Sequence, residues 1–243
     1  MAILIDESSR VIIQGITGRI GTIFAERMAK YYSNFVGGVT PGKGGQTVAG
    51  KPVFNHVEEA VRKLNANTSV IVVAAPFVKG AVGPNSAGLV SPGKASAGEL
   101  SEEQLPLFHG NIGLLSKSGS LSYEVINLIN EAGFGFSTAI CIGGDPILGT
   151  TCGDVLRVFK DDEETKAVVM IGEVGGTDEI DDIDIIRRMS KPVIAYISGH
   201  TAPAKKKMGH AGAIVNGNSD TAAAKTAILK EAGVITANCI EEI

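Results

Sequence analysis

The chain has 243 residues, enough for one large or two ordinary domains with substantial buried cores. Its net charge of −4 at neutral pH, with no basic stripe interleaved with aromatics, argues against a nucleic-acid binder. No apolar run approaches ~18 residues and "MAILIDESSR" is too acidic and short for a signal peptide, so a soluble chain without a membrane partner is expected.

Strand-like and helix-like stretches alternate from the start. "RVIIQG" is an apolar run closed by Gly15, and "TGRIGTIFAERMAKYY" follows with helical spacing of Ile23, Phe24, Met28 and Tyr31. The strand "NFVGGVT", the helix "HVEEAVRKLN" and the strand "TSVIVVAAP" continue the series. Such alternation predicts βαβ units and a parallel sheet. A second α/β series starts near residue 111 with "NIGLLSKSGS" and "LSYEVINLINEAG", then "FSTAICIGGDP", "CGDVLRVFKDD" and "KAVVMIGEVGG". The helix "DEIDDIDIIRRMS", the strand "KPVIAYISG", the helix "DTAAAKTAILKEAG" and the short strand "VITAN" complete it. The pattern predicts two doubly wound α/β domains, 1–110 and 111–243, with 96–110 as a linker or irregular arm. One place breaks the rhythm. Between "VIVVAAP" and "GPNSAGLVSPGK" only "FVKGAV" intervenes, too little for a parallel crossover of about a dozen residues. A segment is therefore expected to be missing between Val82 and Gly83.

Four motifs carry chemistry. In "QGITGRIG" the glycines Gly15, Gly18 and Gly21 fall between strand and helix, where free N–H groups at a helix start receive anions. Their G-x-x-G-x-x-G spacing does not favour nicotinamide. No acidic residue ends the second strand, and Lys43 in "NFVGGVTPGKGG" suits an added phosphate such as the 3′-phosphate of coenzyme A. A plain tight turn with a solvated lysine explains this motif equally well. In "SKSGSLSYE", Ser118 or Ser120 reads first as a helix N-cap, and second as an anion seat with the Gly119 N–H. Glu173 in "IGEVGGT" ends an apolar strand at the edge where open α/β sheets bind ligands.

The last motif is "KKKMGHAGAIV", Lys205 to Val215, with His210 among small residues. No HxH, HExxH or Cys/His grouping accompanies it, and Cys141, Cys152 and Cys239 have no metal-like spacing, so no metal site is expected. An odd number of scattered thiols fits a reducing compartment. A nucleophilic imidazole needs an open loop and a carboxylate to fix its tautomer; the glycines at 209 and 212 supply the first, and Glu173 is a candidate for the second. An ordinary loop histidine is the competing reading.

Together and in this order, "ILIDESSRVIIQGITGRIGT", "VGGVTPGKGGQTVAGKPVFN", "GPNSAGLVSPGK", "GNIGLLSKSGSLSYE", "IGGDPILGT", "MIGEVGG" and "TAPAKKKMGHAGAI" resemble the α subunit of succinyl-CoA synthetase, the ADP- or GDP-forming succinate–CoA ligase. The resemblance covers almost the whole chain. It implies an N-terminal Rossmann-like CoA-binding domain followed by a flavodoxin-like doubly wound ligase domain. His210 matches the histidine that is phosphorylated, and Glu173 the acid bonded to its other ring nitrogen. Ser118, Gly119 and Ser120 match the helix start that holds the phosphoryl group. Thr17, Gly18, Arg19, Gly21 and Lys43 fall where the family binds coenzyme A, and Asn85 and Tyr123 where the acid is expected. The implied partner is a β subunit of ATP-grasp fold, in an αβ or α2β2 assembly, that holds Mg²⁺ with ATP or GTP. A cytoplasmic location follows, or the mitochondrial matrix in a eukaryote. Malate–CoA or citrate–CoA ligase subunits are the related alternatives, and a non-catalytic CoA-binding protein is a further one. Where the family reads "GPNCPG", this chain has "GPNSAG".

Overall fold

The computed structural model describes residues 4–31, 34–72, 85–100, 106–146 and 148–243. The expected missing segment at Val82/Gly83 lies outside them.

The first series folds as β1 (Val11–Gln14), α1 (Arg19–Tyr31), β2 (Phe35–Val39), β3 (Thr47–Val48), β4 (Lys51–Phe54), α2 (Val57–Leu64) and β5 (Thr68–Ile71). Their sheet is ordered β3-β4-β2-β1-β5 and is parallel apart from the β3–β4 pair. Consecutive residues of β1 serve opposite faces, as the strand's period of two requires. Val11 and Ile13 pack with Ala25 and Met28 of α1, whereas Ile12 packs with Val39, Phe54 and Ala60. The chain leaves β1 toward β2 and returns to its other side as β5, so the sheet's switch point lies at the carboxyl end of β1.

The second series contains β6 (Gly88–Ser91), β7 (Ala95–Gly98), β8 (His109–Ser116), α3 (Gly119–Glu131), β9 (Phe136–Cys141), α4 (Cys152–Asp161) and β10 (Ala167–Glu173). It continues with α5 (Asp178–Asp181), α6 (Ile183–Arg187), β11 (Val193–Ser198), α7 (Ala222–Glu231) and β12 (Ile235–Thr236). The seven strands run in the order β12-β11-β10-β8-β9-β6-β7. The five from β8 onward are parallel, in the 2-1-3-4-5 order of flavodoxin-like sheets. Both faces are covered, which is why these strands read as unbroken apolar runs. Leu114, Ala139, Cys141, Val169 and Ile171 face Val125, Ile126 and Ile129 of α3; Leu115, Ile140, Ile142, Val168 and Met170 face Val155, Leu156 and Phe159 of α4.

Two sequence expectations differ from this topology. The sequence pattern places residues 88–98 in the first domain and at the start of an arm, but they form a hairpin on the second sheet. β6 pairs antiparallel with β9, and β7 pairs with β6 through the "SPGK" turn closed by Lys94 N–H to Ser91 O. An antiparallel edge needs no crossover, which is why a count of βαβ units misses it. The single helix expected over 178–190 is divided into α5 and α6 at Asp182. Asp182 is held there by Arg157 Nη2 at 2.9 Å, with its carboxylate lying over Gly153 of α4.

Candidate active site

The second sheet's switch point lies between β8 and β10, and the chemistry-bearing residues collect at its carboxyl edge. Glu173 is the last residue of β10. The chain returns to it through a small hairpin over 205–215. Lys205 N–H bonds Val215 O, Met208 N–H bonds Ala213 O, and Lys207 bridges Ile214. His210 stands at the tip, its Nδ1 2.7 Å from Glu173 Oε2. The tip is pinned by Gly212 N–H to Gly144 O at 2.9 Å. Gly144 must be glycine, because a Cβ there would lie 2.0 Å from His210 Nδ1. The His210 side chain keeps 24% of its surface exposed, against 9% for Glu173. A carboxylate at Nδ1 fixes the ring's tautomer and leaves Nε2 as the accessible nitrogen. That nitrogen has no partner among the described residues.

Burial pushes the Glu173 carboxyl above its ordinary pKa, although His210 and Lys117 pull it the other way. Lys117 follows β8, is buried, and lies 3.7 Å from both Asp178 and Glu179. Burial opposes its ammonium, but the carboxylates of Glu179, Asp178 and Glu173, with Cys152, outweigh it and raise the lysine's pKa. Beneath Glu173 sits a fully buried ion pair, Lys225 Nζ to Glu179 Oε2 at 2.6 Å. A cavity of about 570 Å³ opens beside the histidine loop, lined by Lys117, Gly144, Asp145, Glu173, Asp178 and Gly212 among others.

The "SKSGS" motif forms the start of α3. Ser118 is its N-cap and accepts the Leu121 N–H at 3.3 Å, while Ser116 Oγ accepts the Ser118 N–H at 3.1 Å. Gly119 and Ser120 fall in the first turn, where N–H groups have no acceptor within the helix. They follow Lys117 by two and three residues and lie outside the cavity lining. Ala87 packs 3.5 Å from the Cβ position of Gly119, which sets the loop over 85–87 against this helix start. Within that loop Asn85 is exposed and adopts φ 55°, a left-handed conformation asparagine tolerates. Tyr123, one turn into α3, donates to Glu99 O at 3.3 Å. Burial and the nearby Glu99 push its hydroxyl pKa to about 12.

At the first sheet's switch point, Thr17 N–H meets Thr40 Oγ1 at 3.4 Å and Gly18 N–H bonds Gly15 O. Gly18 and Arg19 are exposed at the start of α1. Gly21 is buried, and a Cβ on it would strike Gly15 O at 2.2 Å, so this glycine lets α1 seat on the turn. Lys43 is exposed beyond β2, its N–H bonded to Thr40 O at 3.1 Å. Thr40 thus joins the two halves of the expected anion site. Sequence reasoning missed Lys117, Gly144, Glu179 and Lys225. The one available signal was Lys225 itself, spaced three and four residues from the buried Ala222 and Leu229 on one helix face.

Two family models match, the CoA binding domain over 6–84 and CoA-ligase over 115–235. A succinate–CoA ligase [ADP-forming] α subunit of Archaeoglobus fulgidus is 44% identical, covering 100% of this chain and 96% of its own length. The chain belongs to the succinate–CoA ligase α-subunit family. Its alignment with that relative runs over 281 positions, more than the 243 residues here, so the relative carries residues with no counterpart in this chain. The malate–CoA ligase α subunit of Methylorubrum extorquens is 42% identical over 98% of this chain and 94% of its own. Among solved structures, ATP citrate lyase from Methanothrix soehngenii, in complex with citrate and coenzyme A, superposes with a TM-score of 0.83 over 99% of this chain at 19% identity. The chain spans about half of that enzyme, 50% of its length, and the likeness speaks for the fold. The fold is therefore a CoA-binding α/β domain followed by a ligase domain. No described helix is long and apolar enough to cross a membrane.

Proposed function

We propose that the chain is the α subunit of an NDP-forming succinate–CoA ligase that works through a phosphohistidine at His210. The observation that carries this reading is the 2.7 Å contact between His210 Nδ1 and the recessed Glu173, on an open hairpin tip. Glu173 accepts a hydrogen bond from Nδ1–H, which keeps the proton there and leaves the Nε2 lone pair free to attack. Nε2 takes the γ-phosphoryl group of a nucleoside triphosphate, releasing the diphosphate. A succinate carboxylate then takes the phosphoryl group from Nε2, and the thiol of coenzyme A displaces phosphate from the acyl phosphate. Splitting the reaction into covalent halves is the function of such a nucleophile. Positioning and neutralisation of charge supply most of the rate in phosphoryl transfer.

The N-terminal turn of α3, at Ser118, Gly119 and Ser120, is assigned the phosphohistidine's phosphoryl group. Asn85 and Tyr123 are assigned the acid. Gly119 and Tyr123, four residues apart, share a helix face, and the Asn85 loop lies against it through Ala87. Thr17, Gly18, Arg19 and Lys43 are assigned the phosphates of coenzyme A; they are exposed or half-exposed, and a helix start with flanking cations suits an anion. Gly21 seats the helix beneath them. The nucleotide, with Mg²⁺, belongs on a partner β subunit of ATP-grasp fold, and the assembly on the cytoplasmic or matrix side of the cell.

The test is to assemble the chain with its partner and supply γ-labelled nucleotide. Acid-labile, alkali-stable label that disappears in His210→Asn is expected; an assembled wild-type enzyme that stays unlabelled overturns the reading. Malate is the second acid to assay, because the malate–CoA ligase relative is nearly as similar as the succinate ones. A non-catalytic CoA-binding role leaves the His210–Glu173 pair without a purpose.

A further inference from the structure

The structure assigns the buried Lys225–Glu179 pair the role of holding Glu173 in the position that fixes the His210 tautomer. The proposal rests on the phosphohistidine reading and extends it to two residues outside the cavity.

The argument starts from β10. Along a strand, the main-chain N–H and C=O of residues i and i+2 point to the same side. Ile171 O accepts the Lys117 N–H, so that side of β10 faces β8. Two residues on, Glu173 points its own N–H and C=O the same way. By then β8 has ended at Ser116 and turned off into α3. Glu173 keeps Ser198 of β11 as its register partner on one side, but its β8-side partner is missing, at the residue that must hold the histidine.

The ion pair fills that vacancy. Glu179 Oε1 accepts the Glu173 N–H at 3.0 Å, and Lys225 Nζ donates to Glu173 O at 2.7 Å. The remaining two donors of the ammonium go to Gly175 O at 2.8 Å and Glu179 Oε2 at 2.6 Å. Every N–H of Lys225 is thereby used, and both main-chain groups of Glu173 are held by one pair of side chains. The two side chains are 0% exposed. Burying two charges costs desolvation that their attraction seldom repays, and apolar replacements of such pairs are often as stable. Stability alone does not explain the pair. Its bonds explain it: they converge on the residue beneath His210 and on the glycine turn after it. The charged groups around the Glu173 carboxylate are His210 on the hairpin tip, Lys117 after β8 and Glu179 of α5, with Asp178 beside Lys117.

The test uses the full-length chain labelled with ¹⁵N-histidine, with the His210 signal identified by its loss in His210→Asn. In the wild type the ring is expected in the Nδ1–H tautomer. In the double variant Lys225→Met/Glu179→Leu the fold should hold with a lowered melting temperature, because the Glu173 N–H and the Glu173 and Gly175 carbonyls lose their partners, while His210 moves toward the tautomer mixture of a free imidazole. Labelling from γ-labelled nucleotide, in the assembled enzyme, should slow by about 10- to 100-fold, the size found when partners orienting a metal-bound histidine are removed. A folded double variant with wild-type tautomer and labelling overturns the proposal. Should that variant not fold, Glu179→Asp decides: it keeps both charges but withdraws the acceptor from the Glu173 N–H. An unchanged His210 spectrum in it overturns the proposal as well. Because the tautomer is read without nucleotide, failure here is distinct from failure of the wild-type enzyme to take up label.

Discussion

The two switch points of this molecule are built in opposite ways. At the first, half-exposed Thr17 and exposed Gly18, Arg19 and Lys43 put a helix start and two cations on the surface. At the second, Glu173, Glu179, Lys225 and Lys117 form a buried web of charge under one partly exposed imidazole. The difference matches what each is proposed to do. Seating the phosphates of a departing substrate calls for a solvated, forgiving surface. A covalent group-transfer residue needs one ring orientation, and only a packed interior can enforce that.

The sharpest way to break the comparison is Glu173→Gln. The amide preserves shape but removes the charge and loses its preference for a donor at Nδ1, so His210 phosphorylation should fall by roughly 10²- to 10⁴-fold. Single-turnover labelling measures it, and a loss below tenfold would place the orienting group elsewhere. The same residue carries a pH signature. Its folded pKa is raised, so its contribution to stability is complete below the usual carboxyl value of 4.5 and is lost as pH rises through the folded pKa. Glu173→Gln should therefore lose less stability across that rise than the wild type, as urea melts at stepped pH will report.

Next in size is Gly144→Ala. The added methyl meets His210 and cannot be accommodated without moving the ring by an ångström or more, a displacement worth about 10²-fold in rate. Turnover should collapse while the circular-dichroism spectrum stays native. At the other switch point the effect should be milder and of another kind. Lys43→Ala is expected to raise the KM for coenzyme A about tenfold with kcat unchanged, and the penalty should shrink as salt rises. A kcat effect equal to the KM effect would contradict the solvated-surface picture.

The smallest effect is expected far from both sites. Lys94 and His109 bond Glu164 at 2.8 and 2.6 Å, tying the β6–β7 turn to the start of β8. Burial works against the Glu164 carboxylate, but these two bonds prevail and hold its pKa down to about 2. Its contribution is present above pH 4.5 and is lost as pH falls toward 2. Glu164→Gln should be modestly less stable at neutral pH, and its stability–pH curve should have a shallower acid limb that meets the wild type's near pH 2.

What the sequence disclosed follows from distance along the chain. The glycine motif at Gly15–Gly21 and the capped helix at Ser118 are contiguous, and local rules name them. His210 and Glu173 are 37 residues apart, yet each stood out in its own glycine setting. Lys225 did not, because a lysine in "TAAAKTAIL" looks like any solvated helix residue until the helix is laid against Glu179, 46 positions away. The hairpin of β6 and β7 escaped for a similar reason. It pairs with β9, some fifty residues further on, and no local pattern announces an antiparallel edge on a parallel sheet.

The hairpin that carries His210 also sets a length scale. Its cross-strand bridge of Lys207 to Ile214, closed by the bond from Met208 N–H to Ala213 O, stands three residues before the histidine and four after it. Three residues of fully extended chain reach about 10 Å. His210 is thus cargo on a short tether: with the bridge intact, a phosphoryl donor and a carboxylate acceptor must both come within about that radius of the Lys207 anchor. A donor held farther out on the partner subunit would oblige the hairpin to unzip, or the partner to carry its nucleotide inward.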